Sequence, residues 1–253
     1  MNRRQFLATG TATTIVGVAG CLGGDDNAND GDGYGPESDD MPEERSIDTG
    51  AYETAEFNGV DVPLAPLEDV IHWYERQEAR MVDTRTSEQH NDVRITGSVL
   101  SSAPDGVQSD PTESWPEEDR IITYCVCPHT LAGQRAATLM DAGHEEVYAL
   151  DEGLQAWVES GYPLEGDELE GVEQSLPAYN VQGQSDPAYA GEFVEVRSLE
   201  REQSEISAVE DDGSYELTLH FTNLEDDALL EVEAPDYTRE LTLEEAMDGV
   251  ITA

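Results

Sequence analysis

The sequence predicts an α/β domain built on a parallel sheet flanked by helices, followed by a small C-terminal antiparallel β domain. Three observations carry that expectation. Short apolar strands alternate with segments of helical period between Val60 and Glu165, the pattern of a sheet buried on both faces. One of those strands, Ile121 to Tyr124, runs directly into Cys125, after which Pro128 and His129 open a turn and Leu131 to Ala142 reads as a helix. Beyond about residue 190 the pattern becomes strict apolar–polar alternation. It is clearest in Tyr215-Glu216-Leu217-Thr218-Leu219-His220-Phe221 and marks half-exposed antiparallel strands.

Taken in order, the chain opens with Met1-Asn2-Arg3-Arg4-Gln5-Phe6-Leu7, a twin-arginine start, and a small-residue stretch from Ala8 to Gly20 too short to span a bilayer. Residues 1–20 therefore read as an export signal. Val18-Ala19-Gly20-Cys21 resembles a lipobox, with Cys21 as the lipidation residue, so the expected location is the outer face of the cell membrane, held by N-terminal lipid alone. Residues 21–57 are rich in Gly, Asp, Asn, Pro, Glu and Ser and too polar to collapse, so a disordered acidic tether is expected.

The α/β domain is expected over 58–165. After Pro66, the spacing of Leu67, Val70, Ile71 and Tyr74 predicts a helix to about Gln77. Arg80 to Arg85 reads as a buried strand leading into a loop, Thr86 to Asp92 as a short polar helix, and Gly97 to Ser101 as another strand. Ala103 to Asp119 is an acidic surface loop. The cysteine strand and its helix follow, then a strand at Glu146–Leu150, a helix from Glu152 to Ser160 and a stop at Gly161-Tyr162-Pro163. Residues 166–189 read as a linker and 190–253 as the β domain, with strands at Phe193–Val196, Tyr215–Phe221, Leu229–Ala234 and Tyr237–Leu243.

Composition bounds the partners. There are 57 acidic side chains against 12 basic ones, giving a net charge of -45, and every basic residue is arginine. In molar salt the Debye length falls to ~3 Å and the self-repulsion of such a chain is largely removed. The acidity thus reads as adaptation to a saline solvent. With no basic patch to meet phosphates, nucleic acid is not an expected partner.

The chemistry sits at Cys125. A thiol at a junction of strand, loop and helix faces free backbone N–H groups and the positive end of a helix dipole, which favours a thiolate or a bound anion there. Once Cys21 is set aside, Cys125 and Cys127 remain, one residue apart, too close for an unstrained bridge.

Met81-Val82-Asp83-Thr84-Arg85, Ile121-Ile122-Thr123-Tyr124-Cys125 and the run from Asp141 through Asp151-Glu152-Gly153-Leu154-Gln155-Ala156-Trp157 to Gly161-Tyr162-Pro163 together resemble rhodanese-like domains. The resemblance covers about Val60 to Glu165. It implies a sulfurtransferase in which Cys125 takes sulfane sulfur from a small anionic donor such as thiosulfate, becomes a persulfide and passes the sulfur to a thiophilic acceptor. The substrate-binding loop would be Val126, Cys127, Pro128, His129, Thr130, Leu131 and Ala132, with Arg85 and Arg135 as nearby cations and no cofactor. The loop departs from the family pattern, since Pro128 and Thr130 stand where a glycine and an arginine are usual. Its length leaves Cys127 as an alternative nucleophile, although strand register favours Cys125. Two other readings stay open. One is a catalytically silent rhodanese fold used for binding, and the other is a metal-binding C-x-C-x-H run of Cys125, Cys127 and His129. The β domain shows no catalytic constellation, and nothing in the sequence sets an oligomeric state.

Overall fold

The computed structural model describes residues 31–38, 41–126, 129–170, 172 and 175–253. The expected signal segment and Cys21 lie outside the described residues, as do Cys127 and Pro128. Among the described residues no helix is long and apolar enough to cross a membrane.

A hairpin of β1 (Thr54–Phe57) and β2 (Val60–Ala65) begins the first unit, turning at Asn58-Gly59 with positive φ angles of 52° and 81°. Asn and Gly are the residues that tolerate that geometry. Then come α1 (Leu67–Glu75), β3 (Arg80–Asp83), α2 (Ser87–Asp92), β4 (Arg94–Ile95) and β5 (Val99–Leu100). After the acidic loop follow β6 (Arg120–Tyr124), α3 (Thr130–Asp141), β7 (Glu146–Leu150), α4 (Gly153–Glu159) and the two-residue β8 (Leu164–Glu165), which pairs with β4. The six-stranded sheet has the order β1-β2-β7-β6-β3-β5, parallel everywhere except the β1–β2 hairpin. The expected strand–helix alternation is present, and the fold is α/β with helices on both faces.

Each face has its own core. On one side α1 and α4 bring Trp73, Tyr74, Leu154 and Trp157 onto Ile122, Tyr148 and Leu150. Trp157 meets Tyr74 and Tyr162 edge-on, with ring centroids 4.9 and 5.2 Å apart, and its indole N–H donates to the Pro163 carbonyl at 3.0 Å. That fixes the Gly161-Tyr162-Pro163 stop in place. On the other side α3 lays Ala132, Ala136 and Leu139 on Val62, Ile121 and Val147. Gly133 is where the Phe57 ring crosses this helix, and a Cβ there would stand 2.1 Å from it.

The second unit packs two sheets face to face. One has the order β11-β10-β13-β14, made of β10 (Phe193–Ser198), β11 (Ser204–Ala208), β13 (Leu229–Ala234) and β14 (Tyr237–Thr242). The other has β12 (Ser214–Leu219) beside β9 (Tyr179–Gln184) and the short β15 (Val250–Ile251), which follows α5 (Leu243–Met247). Val194, Val196, Leu230 and Val232 from the first meet Val181, Leu217 and Leu219 from the second. The alternation seen in the sequence is the alternation of buried and exposed positions along β10, β12 and β13.

Two segments differ from their composition. Residues 31–38 were expected in the tether, yet Gly33 and Gly35 are buried against the first unit. The Gly33 carbonyl accepts from the Met81 N–H at 2.7 Å, and Arg80 lies over the Tyr34 ring at 4.4 Å. Glycines allow this segment to approach the Tyr74 and Trp115 rings where a side chain would clash. Within the expected linker, Val172 and Leu176 are buried in the first core and β9 already belongs to the second unit. β9 is inconspicuous in sequence because Gly183 stands where the Tyr215 ring needs the space.

Candidate active site

The parallel strands bring Asp83, Ser101, Cys125 and Asp151 to one edge of the sheet, at or just past their carboxyl ends, the edge where such folds place ligands. Cys125 leaves β6 there. His129, with a positive φ of 81°, turns the chain into α3, and its carbonyl accepts the Gly133 N–H at 2.5 Å. This aims the start of α3 at the sulfur. The N–H groups of Leu131 and Ala132 hydrogen-bond to Cys125 and act to lower its pKa. From the other side the Cys125 carbonyl accepts the Leu154 N–H at 2.8 Å. Gly153 (φ 70°) passes so close that a Cβ would stand 2.4 Å from the Val126 carbonyl oxygen.

Despite that cradle, Cys125 is a buried thiol whose pKa is pushed up to about 12. Burial is the main cause and the carboxyl of Glu205 the next, outweighing the two N–H groups and Arg85. In this conformation the sulfur holds its proton at neutral pH and is a poor nucleophile.

Beneath it lies a charged cluster. The Arg85 guanidinium donates to both Asp83 oxygens, at 2.9 and 2.7 Å, and to the Val93 carbonyl at 2.5 Å. His90 Nδ1 is 3.1 Å from Asp83 Oδ2, and the Tyr124 hydroxyl, which also meets Ser98 Oγ at 2.7 Å, reaches the same oxygen at 3.3 Å. Arg85 and His90 hold the Asp83 carboxyl far below the ordinary carboxylate range, against its burial. In return Asp83 keeps Arg85 charged.

The remaining expected site residues fall in three places. Leu131 and Ala132 contribute backbone at the sulfur, while the Val126 side chain belongs to the hydrophobic core and Thr130 begins α3. His129 turns outward, its Nε2 2.6 Å from Asp151 Oδ1. Arg135 points away from the sulfur. It donates to Ser101 Oγ at 2.7 Å and Thr112 Oγ1 at 3.1 Å and lies 3.4 Å from Asp110, binding the acidic loop to α3. Among the described residues there is no group of three His, Cys, Asp or Glu side chains able to hold a metal ion.

Glu205, Gln89 and His220 are additions that the sequence did not single out. Glu205, on β11, is fully buried with its carboxyl near Arg85, Asp83 and Cys125, and desolvation pushes its pKa up to about 8. The Gln89 side chain on α2 faces it, and its amide acts to lower that pKa; Glu205 Oε1 and Gln89 Nε2 are both buried. The Nδ1–H of His220 donates to the Pro177 carbonyl (2.7 Å), and burial lowers its pKa, with Arg85 a further cause.

The family profile described as "Rhodanese-like domain" matches residues 67–160. The chain therefore contains a rhodanese-like domain, in agreement with its sheet and helices. Several solved structures are similar to it. A rhodanese-like domain from an Anabaena species is 25% identical over 47% of this chain and 90% of its own, with a TM-score of 0.39. A protein from Bacillus halodurans is 22% identical over 42% and 77%, with a TM-score of 0.38. A thiosulfate sulfurtransferase from Pseudomonas aeruginosa is 21% identical over 42% of this chain but 20% of its own, with a TM-score of 0.36. No curated protein matches the chain.

Proposed function

We propose that the protein is a sulfurtransferase and that Cys125 is its sulfur carrier. The observation that carries this reading is the pair of backbone N–H groups, from Leu131 and Ala132, directed at a cysteine on the carboxyl end of a central strand in a rhodanese-like domain. Such a cradle stabilises both a thiolate and an incoming anion without a side-chain cation. The Cys125 thiolate attacks the outer sulfur of thiosulfate, the S–S bond of the donor breaks, and sulfite leaves with the bonding pair. A thiol acceptor, as thiolate, then takes the outer sulfur from the persulfide and returns Cys125 to its starting state. Asp83, Arg85 and His90 act as framework, since their polar atoms are spent on one another.

A second reading, a silent binding module, is favoured by one observation: the thiol is buried, and that burial raises its pKa. Intact-mass measurement in molar salt, before and after thiosulfate, separates the two. The expected result is a gain of one sulfur atom that disappears in Cys125→Ser and persists in Cys127→Ser. Loss only in Cys127→Ser moves the carrier by two residues, and no gain in folded protein favours the binding module.

A further inference from the structure

The two units share a seam of unusual composition. Their apolar cores are separate, and among the described residues no hydrophobic cluster spans them. Polar side chains hold them together instead. Arg201, in the β10–β11 turn, pairs with Glu88 and, at 3.2 Å, with Asp92, both on α2. The Glu202 N–H donates to Glu88 Oε2 at 2.6 Å, and Thr86 Oγ1 donates to the Glu202 carbonyl. Thr222 Oγ1 donates to Asp92. Such interfaces resemble transient ones, and relative motion is the default expectation.

The seam lies over the site. β11 packs against α3 and carries Glu205 into the space beside Cys125, Arg85 and Gln89. The Gln89 amide faces the Glu205 carboxyl there, and the burial that raises the carboxyl's pKa disfavours its charged form in the docked position. The second unit is joined to the first by one crossing of the chain, between Leu176, still in the first core, and Tyr179, which begins β9. A groove of about 560 Å³ runs along the seam, lined by Thr86, Glu88, Arg201 and Gln203 among others.

We propose that the C-terminal β domain is a docked cap on the Cys125 site, latched to α2 through Arg201, with β11 and its buried Glu205 closed down on that side of the site. A sulfur donor reaches Cys125 only when the cap lifts. The inference rests on Cys125 being the sulfur carrier, but its test does not.

Cys125 is made the sole thiol with Cys21→Ser and Cys127→Ser, and the folded chain is alkylated with iodoacetamide in molar salt. The expected result is slow labelling that becomes roughly tenfold faster in Arg201→Ala, as loss of a paired, part-buried charge allows. Arg201→Lys, which keeps the charge but cannot span both carboxylates, should fall between them. Circular dichroism confirms the fold, and Arg201→Lys decides if Arg201→Ala does not fold. Labelling of the folded variants at the wild-type rate, or of wild type at the rate of an open thiol, overturns the cap. Sulfur uptake by the same variants with native cysteines separates the two ideas. Faster labelling without any uptake removes the sulfurtransferase and leaves the cap. Labelling and the rate of uptake both unchanged between wild type and the two variants remove the cap and leave the sulfurtransferase.

Discussion

Asp83 and Glu205 are both fully buried carboxyls beside the same arginine, and the protein treats them in opposite ways. Asp83 receives two hydrogen bonds from Arg85 and contacts from His90 and Tyr124, and it stays ionised. Glu205 has only the Gln89 amide and the more distant field of Arg85, and desolvation raises its pKa to about 8. One domain supplies all the partners of the first, so it is framework. The second arrives across a seam and finds its cation already taken. A buried carboxyl whose partners all lie in its own domain is held in the charged form, whereas one brought in from a second domain, with its cation already engaged, is pushed toward the neutral form.

The largest expected effect comes from making Asp83 resemble Glu205. Asp83→Asn leaves Arg85 buried without its counter-charge and should cost about 3–5 kcal/mol of stability, read from denaturant unfolding in molar salt. The same carboxylate sets an acid limit. Its folded pKa lies below its unfolded value, so its contribution is complete above the ordinary carboxylate range and is lost as pH falls through the folded value. Unfolding by acid should therefore begin at lower pH in wild type than in Asp83→Asn. Equal acid midpoints would remove the distinction between the two carboxyls.

The next effect comes from Glu205, with the opposite sign. Its pKa is raised from 4.5 to about 8, so the closed state holds a proton that the open state releases. Facing it are Arg85, which favours its anion, and Asp83 and Cys125, which do not. Closure is thus fully favoured below about pH 4.5, weakens as pH rises, and stops weakening above about pH 8. Glu205→Gln should remove that slope and gain roughly 1–3 kcal/mol over wild type at pH 9, the range set by what docking of the cap contributes. A slope unchanged in Glu205→Gln would assign it to another group.

The smallest effect is expected where a charge pair lies in water. Arg197 meets Glu231 and, at 3.4 Å, Glu233 on the face of β10 and β13. Arg197→Gln should change stability by less than about 1 kcal/mol, and by less still in molar salt. A loss as large as that of Asp83→Asn would mean that exposure does not separate the two kinds of pair.

Much of the first domain is legible in the sequence because its signals are local. Leu67, Val70, Ile71 and Tyr74 report α1, and Ile121 to Cys125 reports both the strand and the thiol at its end. The Leu131 and Ala132 N–H groups follow from the junction itself. What escapes reading depends on contacts far apart in the chain. Arg135 reads as a cation near the sulfur until the acidic loop folds back and Asp110 meets it. Glu205 is one of 57 acidic residues, with nothing local to distinguish it. Its burial is created by a fold element some 80 residues after Cys125, and the five-residue strand that carries it, Ser-Glu-Ile-Ser-Ala, has too few apolar positions to stand out.

The single crossing between Leu176 and Tyr179 also changes how the cap competes with substrate. A lid attached by so short a connection behaves as an inhibitor present at a fixed local concentration, on the order of millimolar, that no dilution of the protein reduces. On the proposed sulfur-transfer reading, raising the donor concentration would bring turnover to a ceiling set by the frequency of opening and not by the sulfur chemistry. Cleaving the chain at that crossing would turn the lid into an ordinary soluble partner, and its hold on the first domain would begin to depend on how much of it is present.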